Sequence, residues 1–188
     1  MAWIYLRRQD LGALGHFLES ASGSKLLTME LDGVTLDRAV RLEIESTVNP
    51  AVLRRYVTTG FNGDYEGFGK FLDFLGSAWV ARIGAVYGEC PDSALRDPMR
   101  RFLLKWKGHV DLELCRQMFS NTGHCRREVF DLFSRAAPEG LLKQMETYFQ
   151  QLEGEDRLLA LSVILRMNDP AKPSFVRRVI RDPDQRIR

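Results

Sequence analysis

Charge of one sign is what this sequence lacks first. Its 188 residues carry 27 basic and 25 acidic side chains, a formal net charge of +2. A protein that lives on nucleic acid shows a marked basic excess, so this balance does not point there first. Cysteine is scarce: Cys90, Cys115 and Cys125 make an odd set with no Cys-x-x-Cys pair. That excludes a disulfide framework and implies buried thiols in a reducing compartment, with the cytoplasm as the expected location. No run of 18 apolar residues occurs, so no membrane span or membrane partner is expected. Ala2–Leu6 is apolar but runs straight into Arg7 and Arg8, without the order or cleavage site of a signal peptide.

What is present is an ordinary globular composition, 45% hydrophobic and 28% charged, which argues against disorder. A chain of this length buries enough surface to need no staples. The charge is uneven. Residues 1–95 hold 9 basic and 12 acidic side chains, whereas 96–135 hold 9 basic and 5 acidic. A modestly basic stretch therefore sits mid-chain.

Apolar spacing reads as helix almost throughout. Leu11, Leu14, Phe17 and Leu18 form one stripe, with Asp10 as its cap. Ser20–Ser24 reads as a loop. Leu27, Met29 and Leu31 alternate with polar residues before Asp32-Gly33, which reads as a short extended segment and a turn, with a hairpin as the alternative. Helical period returns over Thr35–Ser46. Asn49-Pro50 is a helix-start signal for a helix to Thr59, because proline at the first position loses no needed N–H. Asp64 opens the strongest helix, expected to reach Tyr87, with Gly67, Gly69, Gly76 and Gly84 inside it. Each glycine costs a helix about 1 kcal/mol against alanine. Four of them suggest either a break or a closely approaching neighbour.

After Gly88–Asp92 the chain becomes a series of short amphipathic helices: Met99–Lys107 after Asp97-Pro98, Leu112–Ser120 capped by Asp111, then His124–Ala136, Pro138–Leu152, Glu155–Asn168 and Ala171–Arg181. Self-comparison finds a period. Gly123-His124-Cys125-Arg126 overlies Gly154-Glu155-Asp156-Arg157 at an offset of 31, which also brings Phe130 onto Leu161 and Arg135 onto Arg166. Glu155-Asp156-Arg157-Leu158 overlies Asp184-Gln185-Arg186-Ile187 at an offset of 29. Two helices in a period near 30 is the pattern of a helical-repeat solenoid.

The stretch from Val176 to Arg188, with its Arg181-Asp182-Pro183-Asp184-Gln185-Arg186-Ile187-Arg188 core, resembles the HEAT-repeat family. It is similar to that family's second helix, Asp-Pro turn and opening of the next first helix. Asn168-Asp169-Pro170 fits the same unit. The resemblance is clear over 123–188, looser over 96–122 and absent from 1–95. It implies an all-α fold: an α-solenoid of stacked helical hairpins over 93–188, with 1–92 as an irregular helical N-terminal cap. Arg188 stands only partway into a new helix, so further repeats are expected beyond it.

No catalytic, cofactor-binding or metal-ligating residue is assigned by this reading, and no cofactor is expected. His109, Cys115, His124 and Cys125 match no zinc spacing, and none has a third orienting partner for Cys–His chemistry. The pairs Glu43/Glu45 and Asp64/Glu66 are two apart and face different sides of a helix. The glycine-rich run Gly60–Gly69 lacks a Walker lysine and a preceding strand, although Phe61, Tyr65 and Phe68 could form a lip. Trp3, Trp79 and Trp106 read as core.

Three arginine doublets stand out: Arg100-Arg101, Arg126-Arg127 and Arg177-Arg178. In a solenoid, equivalent positions align into a stripe, so these six are the candidate partner-binding residues. The alternative is that they pair with neighbouring-repeat acids such as Asp156, Asp169, Asp182 and Asp184. The leading expectation is a non-enzymatic scaffold or adaptor that binds another protein. Nucleic acid on the arginine stripe is the second, since a bacterial alkylpurine DNA glycosylase family uses a HEAT-like solenoid with a basic concave face, although its motif does not map onto this chain. A phycobilin lyase or chaperone is the third.

Overall fold

The computed structural model describes residues 2–31, 34–120, 126–182 and 184–187, and among them the chain is helical apart from one small hairpin. The fold is all-α. Contacts divide it into two compact units, Met1–Trp106 and Lys107–Arg188. The division falls later than the expected 92/93 boundary. The reason is packing: the helix that follows Asp92 buries Leu95, Met99, Phe102 and Leu103 within the first unit.

The first unit opens with α1 (Ala2–Arg8), α2 (Leu11–Glu19) and α3 (Ala21–Leu27). Asp10 caps α2, its Oδ1 accepting from the Ala13 amide at 3.0 Å. Ser20 caps α3 in the same way, accepting from Gly23 at 3.0 Å. That cap turns the expected Ser20–Ser24 loop into the first turn of a helix. Strands β1 (Glu30–Leu31) and β2 (Val34–Thr35) pair antiparallel, Glu30 with Thr35 and Leu31 with Val34. The 25–34 segment is thus helix and then hairpin, not a single extended piece, and the Asp32-Gly33 turn lies outside the described residues.

Helix α4 (Leu36–Thr47) buries Val40 and Ile44. Helix α5 (Pro50–Arg55) starts where expected, with Asn49 Oδ1 accepting from the Ala51 and Val52 amides, each at 3.0 Å. It widens into a π-helical turn over Tyr56–Gly60.

Asp64 caps α6 (Tyr65–Leu75), accepting from the Gly67 amide at 2.9 Å. The expected helix to Tyr87 breaks at Gly76, whose φ of 72° ends α6. A 3₁₀ turn over Ser77–Trp79 then leads into α7 (Val80–Tyr87). Asp92 caps α8 (Ser93–Lys105), its carboxylate accepting from Ala94 at 2.8 Å. Asp97-Pro98 therefore does not start a helix. Pro98 is inside α8 and buried, and the Asp92 cap precedes it in the chain.

Both readings of the glycines hold, at different positions. Gly76 breaks the helix. Gly67 lets α2 and α6 meet backbone to backbone. A Cβ on Gly15 would overlap the Gly67 carbonyl oxygen and stand 2.6 Å from the Phe71 amide nitrogen. A Cβ on Gly67 would overlap the Gly12 carbonyl oxygen. Around this contact Leu11, Leu14, Phe68, Phe71 and Leu72 are buried.

The second unit begins with a 3₁₀ turn over Lys107–His109. It continues with α9 (Leu112–Ser120), α10 (Arg126–Ala136), α11 (Leu141–Gln151), α12 (Gly154–Arg166) and α13 (Lys172–Val179). Asp111 caps α9, accepting from the Leu114 amide at 2.8 Å. Its core holds Cys115, Met118, Phe130, Phe133, Met145 and Ile164. Residues 184–187 form a turn where a new helix was expected, and the Asn121–Gly123 turn, Pro183 and Arg188 lie outside the described residues.

Gly15→Ala should lower the stability of the first unit by at least ~3 kcal/mol, because backbone cannot give way to the new methyl. Gly69→Ala should cost nothing or add up to ~1 kcal/mol, since it removes a helix glycine and its Cβ meets only Pro98 at 3.7 Å. Urea melts of the two variants beside wild type check the contrast.

Candidate functional site

The second unit is held together by side chains about one period apart. Helices α9, α11 and α13 touch in sequence. Phe119 stacks on Tyr148 at 3.7 Å between centroids, and Arg116 donates to Gln144 Oε1 at 3.0 Å. Phe149 then meets the edge of Phe175 at 5.3 Å, and Arg178 donates to Glu146 at 2.8 Å. Helices α10 and α12 are joined by Arg126 with Asp156 and, more loosely, by Arg166 with Asp131 at 3.9 Å. Arg186 reaches back to Glu155 at 3.3 Å. Arg157 donates to Asp182 at 2.5 Å and to the Phe149 carbonyl at 3.2 Å, and its guanidinium lies over the Phe149 ring. Asp182 is only 8% exposed, so this pair is the most sheltered of the set.

These pairs decide where the six candidate arginines stand. Arg100 and Arg101 belong to the first unit and both engage Asp97, at 2.8 and 3.1 Å. Arg126 is taken by Asp156, and Arg178 by Glu146 and the Phe175 ring. Arg127 and Arg177 are exposed. Four of the six guanidinium groups thus have carboxylate partners within their own unit. Of the acids suggested by sequence, Asp156 and Asp182 serve as cross-period partners, whereas Asp169 and Asp184 cap local turns, accepting from Ala171 at 2.8 Å and Arg186 at 2.9 Å.

Among the described residues, each unit has an open groove where another molecule could lie. In the second unit a groove of about 340 Å³ runs between α10 and α12. Leu158, Leu159 and Ser162 line it together with Arg127 and the Asp131–Arg166 pair. Leu158 and Leu159 are half-buried, and Leu165 on the same helix is 49% exposed. Sequence reasoning missed these positions. The available signal was that α12 is apolar nearly all round, which a helix needs only when several faces are covered. In the first unit a groove of about 590 Å³ lies between α6 and α8, floored by Gly69, Pro98 and Phe102. Its rim charges answer each other: Lys105 bonds Asp73 at 2.5 Å, and Lys70 bonds Glu66 at 2.8 Å.

The remaining sequence candidates separate. His109 is exposed while Cys115 is buried, so the two share no accessible surface, and His124 and Cys125 lie outside the described residues. Burial, then Asp111, pushes the Cys115 thiol up to about 12, which keeps it un-ionised and unreactive. Among the described residues no group of three or more His, Cys, Asp or Glu side chains is arranged to hold a metal. Asp64 is a helix cap while Glu66 pairs with Lys70, which holds the Glu66 carboxyl below the usual range. Phe61, Tyr65 and Phe68 pack with Tyr56 as an aromatic cluster, Phe61 and Tyr65 lying 4.7 Å apart. The Tyr65 hydroxyl donates to Asp92 at 2.9 Å. Trp79 is buried and Trp106 half-buried, and the Trp3 side chain is outside the described set. Among the described residues no helix is long and apolar enough to cross a membrane.

No family model, no curated protein and no solved structure matches the chain.

Asp182→Ala should destabilise the second unit by ~2 kcal/mol, since it strands the half-buried Arg157 guanidinium. Arg101→Ala should change stability by less than ~1 kcal/mol, because its pair is exposed. Thermal melts of both variants test the ranking. Native-state alkylation at mildly alkaline pH should leave Cys115 unlabelled, with full labelling once guanidinium unfolds the chain, as read by peptide mass mapping.

Proposed function

We propose that residues 107–188 are a short HEAT-like α-solenoid segment that works as a non-enzymatic protein-interaction module. On this reading α9, α11 and α13 form one row of stacked helices and α10 with α12 the other. The supporting contacts are those that repeat about once per period: Phe119 with Tyr148 and then Phe149 with Phe175 along one row, Arg126 with Asp156 along the other. Each hairpin buries its apolar face on the next, as repeat units must.

The observation that carries the interaction role is the α10–α12 groove, where Leu158 and Leu159 remain half-open on a helix apolar nearly all round. Apolar side chains framed by charged ones suit a protein surface of mixed character, with the apolar centre giving affinity and the rim giving register. The alternative, nucleic acid on an arginine stripe, is disfavoured by the carboxylates already seated on Arg100, Arg101, Arg126 and Arg178. A stripe that binds phosphates needs unneutralised cations.

The test is affinity capture from extract of the source organism, with and without nuclease, using wild type and the double variant Leu158→Gln, Leu159→Gln. The reading predicts a defined protein that survives nuclease and is lost from the double variant, whose melting temperature should stay within about 5 °C of wild type. Recovery of nucleic acid, with every protein lost on nuclease treatment, would replace it with the arginine-stripe reading.

A further inference from the structure

Asn62-Gly63 is the only asparagine–glycine step in the chain, and both residues are exposed in the loop before α6. Asparagine followed by glycine is the step at which a backbone nitrogen most easily attacks a side-chain amide, because glycine brings no side chain to block the approach. The fold surrounds this step with two polar partners of opposite character. The Asp64 backbone N–H donates to Asn62 Oδ1 at 3.2 Å. Asn62 Nδ2 donates to Asp10 Oδ1 at 3.2 Å. These partners fix the amide orientation, since a backbone N–H only donates and a carboxylate only accepts.

We infer that Asn62-Gly63 is a self-modification site, at which the folded chain promotes its own deamidation to aspartate and isoaspartate. The Gly63 nitrogen gives up its proton to solvent base and bonds to Asn62 Cγ. The carbonyl electron pair moves onto Oδ1, where the Asp64 N–H meets the new negative charge. Nδ2 takes a proton from water and becomes an ammonium, where the Asp10 carboxylate meets the new positive charge. The Cγ–Nδ2 bond then breaks and ammonia leaves, closing a succinimide. One water opens that ring. Cleavage at Cγ gives aspartate, and cleavage at the Asn62 carbonyl carbon gives isoaspartate. No oxidant or reductant is involved. Both charges of the tetrahedral intermediate are answered by groups already in place, which is the electrostatic arrangement that lowers such barriers.

The position gives the reaction a consequence. Asp10 caps α2 and Asp64 caps α6, so Asn62 is a polar strap between the caps of the two helices that meet through glycine. Its conversion puts a carboxylate against the Asp10 carboxylate and removes the strap's only donor.

The experiment incubates the full chain at mildly alkaline pH and physiological temperature, folded and guanidinium-unfolded, and maps each asparagine by peptide mass and isoaspartate content. Asn49 is an internal control, because the Pro50 nitrogen that follows it carries no proton and cannot close the ring. The expected result is that Asn62 converts about tenfold faster in the folded than in the unfolded chain, a factor worth about 1.4 kcal/mol of barrier. Asp10→Asn, which preserves the cap, should bring the folded rate down toward the unfolded one. An Asn62 that converts no faster when folded, or an unchanged rate in Asp10→Asn, overturns the inference.

Discussion

Helices α2 and α6 come together through bare backbone. Gly12 and Gly15 on one helix face Gly67 on the other, so closely that a methyl group on Gly15 or Gly67 would occupy the position of a carbonyl oxygen. Such proximity allows no intervening side chain, so the buried residues flanking it, Leu11, Leu14, Phe68 and Phe71, have to pack around a fixed separation. Much of the first unit follows from that constraint. Asp10 and Asp64 cap the two helices, and Asn62 bonds both, its side chain to Asp10 and the Asp64 amide. His16 on α2 bonds Asp64 at 3.1 Å, and Lys70 on α6 reaches His16 at 3.3 Å. The polar groups at the caps and along α2 and α6 are thus brought together by the same backbone contact between the two helices.

The second unit uses the opposite strategy. Its helices meet through large side chains, aromatic rings and arginines, at positions separated by about one period. The arginines do two jobs. The guanidinium of Arg157 lies over the Phe149 ring and donates to both the Phe149 carbonyl and the Asp182 carboxylate. A planar, delocalised cation suits that combination better than an ammonium would. The same economy explains why arginine doublets need not be a binding stripe: Arg126 and Arg178 are engaged by neighbouring helices, and Arg100 and Arg101 by Asp97 on their own.

Capping was legible in advance at several positions where an acidic or amide side chain stood before an apolar run. Asp10, Asn49, Asp64 and Asp111 all cap as their sequence contexts imply. Asp97-Pro98 misled because proline is also tolerated inside a helix that has already begun, and the earlier Asp92 supplied the cap. Ser20 was passed over because the small residues after it suggest flexibility, yet its hydroxyl satisfies the Gly23 amide. For the candidate site, the doublets at 100–101, 126–127 and 177–178 were visible as cations, and Asp156 as a partner for them, whereas Asp97 and Glu146 were not. The groove beside Leu158 and Leu159 was not read at all.

By itself the sequence determined the all-helical class and the positions of most helix starts, because these depend on side-chain spacing and on hydrogen bonds between residues a few positions apart. Only the tertiary structure decided which glycine breaks a helix and which admits a neighbour, since Gly67 and Gly76 differ in what lies across from them and in backbone angle, not in local composition. The same holds for charge. Whether an arginine is free to meet a partner depends on a carboxylate some 30 residues away, and the energy of such a pair is set by distance and burial, quantities that exist only once the chain has folded.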